Sequence, residues 1–413
     1  MFDATILWSW AEFAVRWLHV IAGIAWIGSS FYFIALDLGL RKAPDLPQGV
    51  HGEEWQVHGG GFYHIQKYLV APERLPDHLI WFKWESYTTW LSGFAMLVLV
   101  YYFGADLFLV DPTVLDMPSW LAILISLFSL GLGWLAYDRI CKSPFGEDNT
   151  KLMLLLYLIL VVLAFAYTHI FSGRAAFVHL GAITATVMSA NVFFIIIPNQ
   201  KIVVEDLKAG RVPDAKYGKI AKQRSTHNNY LTLPVVFLML SNHYPLAFAG
   251  DWNWVIASLV FLMGVTIRHY FNTLHASDFP KKGPIWTWGA TALLFAAIVW
   301  LSMAPLYDAD EGWEESALSP ASQRFAEAEG FEEAVDIVMG NCSMCHSPEP
   351  GWEGITAPPK GVKLVTQSDV ARHAPEIYLQ AGVTHAMPPG RANFMAPEDR
   401  ASLVRWYRAG AEG

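Results

Sequence analysis

Along most of the chain, apolar runs alternate with shorter polar stretches. A helix that spans a bilayer needs about 20 mostly apolar residues. Eight segments meet that length: roughly 13–36, 88–110, 119–137, 152–171, 175–197, 231–250, 252–271 and 285–304. The pattern predicts an all-α fold: an eight-helix transmembrane bundle over residues 1–304, a linker over 305–322, and a small all-α domain over 323–413. The sixth segment, "LTLPVVFLMLSNHYPLAFAG", carries Pro234, Asn242, His243 and Pro245. Such a polar break survives at membrane depth only against protein or a cavity. Residues 13–36 and 175–197 each place a serine ten residues after a histidine. "YTTWLSGFAML" and "YLTLPVVFLML" share Tyr, Thr, Phe, Met and Leu in register. These echoes suggest a parallel 4+4 repeat.

Composition sharpens the picture. Of 413 residues, 54% are hydrophobic and only 16% charged, which excludes an ordinary soluble protein of this length. Residues 308–413 carry 17 acidic and 8 basic residues, whereas residues 1–307 carry 20 of each. A neutral apolar body therefore precedes an acidic tail, and no nucleic-acid partner is expected. Lysine and arginine fall almost entirely in the odd-numbered connections between apolar runs; the even-numbered ones hold only Arg174. Because basic residues accumulate on the cytoplasmic side, both termini are expected outside, in the periplasm of a Gram-negative cell.

The tail contains Cys342-Ser-Met-Cys345-His346. C-x-x-C-H is the pattern of c-type haem attachment: two thioethers from the cysteines, and iron ligation by the adjacent histidine. "HAMPPG" offers Met387 as the opposite axial ligand, with Met344 and Met395 as rivals. "GFEEAVDIVMG" reads as a helix leading into the motif, and "APEDRASLVRWYRAG" as a closing helix with Glu398 and Asp399 in its first turn. This is the layout of a class I cytochrome c. A zinc half-site and a redox dithiol are the other uses of such a cysteine pair. Cys141 reads as an inert thiol.

In the body, ionisable residues at bilayer depth are functional candidates. At about 1.5 Å of rise per residue they sort into two layers. His19, His179 and His243 lie in the outer layer, with His169 at its rim and Arg16 one turn from His19. Glu85, His227, Asn228, Asn229, Arg268, His269 and His275 form the inner layer. Two outer histidines, His19 and His179 first, could bind a b-type haem; hydrogen bonding between helices is the plainer alternative. "LHVIAGIAWIGSSF" also resembles the first helix of other bacterial membrane families linked to haem binding. The connection 37–86 holds Gly59-Gly60-Gly61 between His58 and His64, where glycine permits tight turns. Trp81 and Trp84 suit an interfacial anchor.

"VHGGGFYHIQKYLVAP", "WFKWESYTTWLSG" and "RSTHNNYLTLPVVFLMLSNHYP" resemble signature stretches of the bacterial membrane-bound urate oxidases, or urate hydroxylases, which join an eight-helix domain to a C-terminal cytochrome c. The resemblance covers essentially the whole chain. It implies oxidation of urate to 5-hydroxyisourate, with electrons leaving through haem c to a downstream cytochrome or terminal oxidase and no direct formation of hydrogen peroxide. On chemical grounds, Arg16 and Arg268 would clamp the anion, His227 or His269 would act as base, and Asn228, Asn229 or Asn242 would bond the ring edges. Two other classes compete. One is a quinol:cytochrome c electron-transfer module; the other is a transporter with a cytochrome sensor, supported only by the polar break in the sixth segment.

Overall fold

The computed structural model describes residues 4–70, 72, 75–278, 280–303, 318–353, 355, 358–389 and 395–412. Fourteen α-helices occur among the described residues. The body holds α1 (Ala4–Gly39), α2 (Trp84–Leu97), α3 (Ser119–Lys142), α4 (Asn149–Thr168), α5 (Gly173–Ala190), α6 (Ile197–Lys208), α7 (Ala215–Leu240), α8 (Asn253–Ala276) and α9 (Trp286–Met303). The tail holds α10 (Pro320–Ala326), α11 (Phe331–Cys342), α12 (Gln367–Arg372), α13 (Ala374–Ile377) and α14 (Pro397–Glu412). Most of the expected linker lies outside the described residues.

The expected eight-helix bundle is not what forms. Six helices among the described residues are long and apolar enough to cross a membrane: α1, α3, α4, the continuous Gly173–Lys208, α8 and α9. The expected span 88–110 fails because α2 ends after 14 residues. The chain then widens into π-helical turns at Val98–Tyr102 and Ala105–Leu109, separated by Gly104. The expected span 231–250 fails because the apolar part of α7 stops at Leu240, where 3₁₀ turns at Ser241–His243 and Pro245–Ala247 take over. With these two gone, the parallel 4+4 repeat goes as well.

The long connection 37–86 also departs from the all-α expectation. It folds into an antiparallel hairpin, β1 (Val50–His58) and β2 (Gly61–Tyr68). Gly59 and Gly60 both have positive φ, +59° and +79°, as a two-residue hairpin turn of primed type requires. Trp55 stacks on His64 at 4.1 Å, and His64 Nε2 lies 2.6 Å from Glu53 Oε2. That hydrogen bond holds the Glu53 carboxyl below the usual carboxylate range.

Packing explains the helix positions. α5 is the central helix, with Phe177, His179, Leu180 and Ile183 buried among α2, α3, α4 and α7. Small residues let helices approach: a Cβ on Gly264 of α8 would lie 2.4 Å from Pro234 Cδ of α7. By contrast α1 buries only Ala22, Leu36 and Gly39 and exposes Trp10, Phe13, Trp17 and Ile24. Its 36 residues reach about 54 Å at 1.5 Å per residue, well beyond a hydrocarbon core of about 30 Å. The first turns of α1 therefore project past the bundle and meet the tail, where Thr5 Oγ1 lies 3.1 Å from Tyr407 Oη.

The tail has a core of its own, built on Phe325, Val338, Tyr378, Leu403 and Trp406. Tyr378 stacks on Tyr407 at 4.2 Å, and Trp406 Nε1 donates to the Phe325 carbonyl at 2.9 Å. The helices expected before the C-x-x-C-H motif and at the C-terminus are α11 and α14, which pack on each other.

Candidate functional site

The predicted residues gather in three places. At the inner end of the bundle lies a buried polar network. Arg224 (1% exposed) pairs with Asp138 at 3.0 Å and lies over the Tyr137 ring. The Tyr137 hydroxyl meets His227 Nδ1 at 2.7 Å and accepts from Asn191 Nδ2 at 3.0 Å. Asn191 also donates to Asn228 Oδ1 at 3.0 Å, and Asn228 donates to the Met188 carbonyl at 2.9 Å. Beside it, Arg268 donates to Asn229 at 3.3 Å and Asn272 at 2.9 Å while lying 3.9 Å over the Phe31 ring. His269 Nδ1 meets the Tyr230 hydroxyl at 3.3 Å. So His227, Asn228, Asn229, Arg268 and His269 do come close, but mostly as partners of one another and of framework groups. Asp138, Tyr137, Arg224, Asn191 and Asn272 were absent from the sequence-based set. Lone polar residues in apolar helices were the available signal, yet their pairing is a tertiary property.

The outer histidines separate. His19 Nδ1 lies 3.0 Å from the Thr89 carbonyl and 3.2 Å from Ser92 Oγ. The ring sits so close to α2 that a Cβ on Gly93 would fall 2.7 Å from His19 Cε1. His179, fully buried, donates from Nδ1 to the Ala175 carbonyl at 2.8 Å, while its Nε2 has no hydrogen-bond partner. Tyr101, Tyr167 and Phe171 surround it. In each ring Nδ1 is fixed by the backbone, the arrangement that leaves Nε2 for a ligand. Among the described residues, no three His, Cys, Asp or Glu side chains cluster as a metal site.

The third place is a cleft of about 2270 Å³ between the outer end of the body and the tail. Arg16, His169, Arg174, Asn242 and His243 line it from the body; Ser347, Glu349, Lys360 and Val362 line it from the tail. Arg16 pairs with Glu12, one helical turn away. Arg174 lies 4.9 Å over the Phe108 ring, and no carboxylate of the described residues is within ion-pair distance of it. Burial, then the charges of Arg16, Lys360 and Arg174, hold His243 below the usual histidine range.

In the tail, the C-x-x-C-H segment continues the turn of α11: Cys345 N and His346 N both donate to the Cys342 carbonyl, at 3.1 and 2.9 Å. His346 Nδ1 lies 2.8 Å from the Val362 carbonyl, which orients the ring and leaves Nε2 for iron. Burial and the neighbouring Cys345 push the Cys342 thiol up to about 11, the opposite of the lowered value a reactive redox dithiol needs. Met387 packs half-buried against the tail core, and its carbonyl accepts from Arg400 at 2.9 Å. Met395 is buried in that core, whereas Met344 is exposed.

Comparison with curated proteins and with solved structures finds no match. The family model described as "Urate oxidase N-terminal" matches residues 5–302, the whole described body, and stops before the tail. The body built around α5, with its buried inner network and its outer cleft, thus belongs to a chain that is a member of the urate oxidase N-terminal family.

Proposed function

We propose that this chain is a membrane-bound enzyme that oxidises urate to 5-hydroxyisourate. Electrons would leave through a haem c on its own tail to a downstream cytochrome or terminal oxidase, with no hydrogen peroxide formed directly. The match of the urate oxidase family model over residues 5–302 carries this reading. The six long apolar helices support a membrane setting. The distribution of lysine and arginine supports the bacterial inner membrane, multi-pass, with both termini and the tail in the periplasm.

In this reaction the urate monoanion and one water give 5-hydroxyisourate, one proton and two electrons. Cys342 and Cys345 would hold haem c by thioethers, with His346 and Met387 as the residues that would ligate its iron. His19 and His179, the histidines expected to hold a haem b, stand apart with their rings packed on different neighbours, so no haem b is assigned to the body. Bound haem supplies a one-electron acceptor. The chain's own residues hold the anion, shield it from water and take its proton.

The test is anaerobic addition of urate to oxidised full-length protein while following the c-type absorption band. Reduction of the band by urate is expected. A band that ignores urate and responds to a membrane quinol would overturn the reading in favour of the electron-transfer module.

A further inference from the structure

Resting on the urate-oxidising reading, we propose that the substrate anion binds in the outer cleft between body and tail. Arg174 is its principal cation, Asn242 its ring-edge partner and His243 its proton acceptor; the inner network is framework.

Four observations carry this. First, the cleft gathers positive charge from separate segments: Arg16 from α1, Arg174 from α5 and Lys360 from the tail, all facing His243. Glu12 occupies Arg16. Neither Arg174 nor Lys360 has a carboxylate of the described residues within ion-pair distance. Carboxylates line the same cleft, Glu12, Asp111, Asp251, Glu349, Asp369 and Glu376, so the attraction for an anion is local to Arg174 and Lys360.

Second, two buried polar atoms here lack a hydrogen-bond partner within normal distance, Arg174 Nε and Asn242 Oδ1, with the Tyr101 hydroxyl beside Arg174. Asn242 is held by its other end, Nδ2 donating to the Met239 carbonyl at 3.3 Å. Burial of an unpaired donor and an unpaired acceptor is unfavourable, and together they complement a lactam edge. Such an edge, which urate carries, sets a ring C=O beside a ring N–H. The Phe108 ring stacked on Arg174 restrains the guanidinium plane.

Third, the cleft adjoins the redox motif. Its wall includes Ser347, directly after His346, and Val362, whose carbonyl fixes the His346 ring. Electron transfer weakens steeply with distance, so an oxidation site here is favoured over one deep in the bundle. Fourth, the inner network is on the wrong side. His243 lies 14 residues beyond Asn229, about 20 Å along the chain direction at helical rise. Arg268 there is already engaged by Asn229, Asn272 and Phe31.

The test is equilibrium dialysis of radiolabelled urate against full-length, haem-loaded protein whose haem has been chemically reduced beforehand, so that binding is read without turnover. The wild type should bind. Arg174→Gln should weaken binding by about tenfold or more, as expected for loss of a charge-assisted contact. Arg174→Lys should recover part of the loss, and Asn242→Asp should weaken binding again by placing a carboxylate beside the anion. Melting temperature and haem content identify any variant that misfolds, and the lysine variant then stands in for it. If the wild type binds and Arg174→Gln binds equally well while Arg268→Gln does not, the site is the inner network; the cleft assignment falls and the urate reading stands. If the wild type binds no urate, the functional reading itself fails.

Discussion

Replacing Asp138 by Asn separates framework from site. Two cations share this carboxylate: Lys142 at 2.6 Å, with its side chain 60% exposed, and Arg224 at 3.0 Å, 1% exposed. The exposed pair is worth about 0–1 kcal/mol, since water and salt screen it. The buried pair behaves differently, because loss of one partner leaves a desolvated charge uncompensated, at about 3–5 kcal/mol. Arg224 feels that loss acutely: its Nε and Nη1 have no other hydrogen-bond partner. Asp138→Asn should therefore lower the folded-to-unfolded ratio by roughly 10² to 5 × 10³, and Lys142→Ala should scarcely change it. The assay is the denaturant midpoint in detergent micelles, followed by tryptophan emission. Urate affinity of the protein that remains folded should be unchanged. Equal costs for Asp138→Asn and Lys142→Ala would refute the reasoning, as would a loss of urate binding larger than the loss of stability.

Two further outcomes are expected. Gly264→Ala drives a methyl toward Pro234 Cδ at 2.4 Å, and the proline ring cannot rotate away; the cost should be about 1–3 kcal/mol, read as a lower melting temperature, and an unchanged melt would mean α7 and α8 slide freely. The rate profile of urate oxidation should keep its acid limb below pH 6.5, because His243 lies below that ordinary value and must be neutral to accept a proton. The limb appears as pH falls through the depressed value. Lys360→Gln removes one of the three cations facing His243 and should move the limb to higher pH; a limb that stays in place, or moves lower, would show that another group is the base.

Much of this was legible along the chain. Apolar run lengths marked eight segments, and six helices among the described residues are long and apolar enough to cross a membrane, because a bilayer sets one length for all of them. Run length failed at 88–110 and 231–250, where hydropathy averages over Gly104 and over Ser241–His243 without sensing that the backbone leaves the α-helix there. The hairpin was half legible: Gly59-Gly60 permits a tight turn, but its strands bury almost nothing fully and carry no alternating apolar face. Among site residues, the C-x-x-C-H motif was readable because ligands and spacing are local. Along the sequence Arg174 stands only as an isolated charge between two apolar runs. What distinguishes it, an unpaired buried Nε beside a tail that returns from nearly two hundred residues away, exists only once the chain is folded.

The two polar centres can be told apart by which parts of the chain each joins. In the inner network Tyr137, His227, Asn191 and Asn228 are joined by hydrogen bonds and Asp138 is joined to Arg224, which ties α3, the turn after α5 and α7 together. Asn191 Oδ1, Arg224 Nε and Nη1 and Asn229 Nδ2 stay unpaired there, but the residues bond one another between helices, and disturbing such a network is expensive. The cleft differs in being walled by both body and tail: six carboxylates and five cations line it, and of these Arg174 and Lys360 have no ion-pair partner among the described residues. Those walls come from α1, α5, the turn after α7 and the tail, so the cleft exists only while the tail is docked through Thr5–Tyr407 and the Pro245 and Gly361 turns. Substrate binding and tail docking are thereby coupled, since an anion that bridges Arg174 and Lys360 binds the docked form more tightly than the undocked one. Linkage then requires that whatever loosens the tail also loosens the anion.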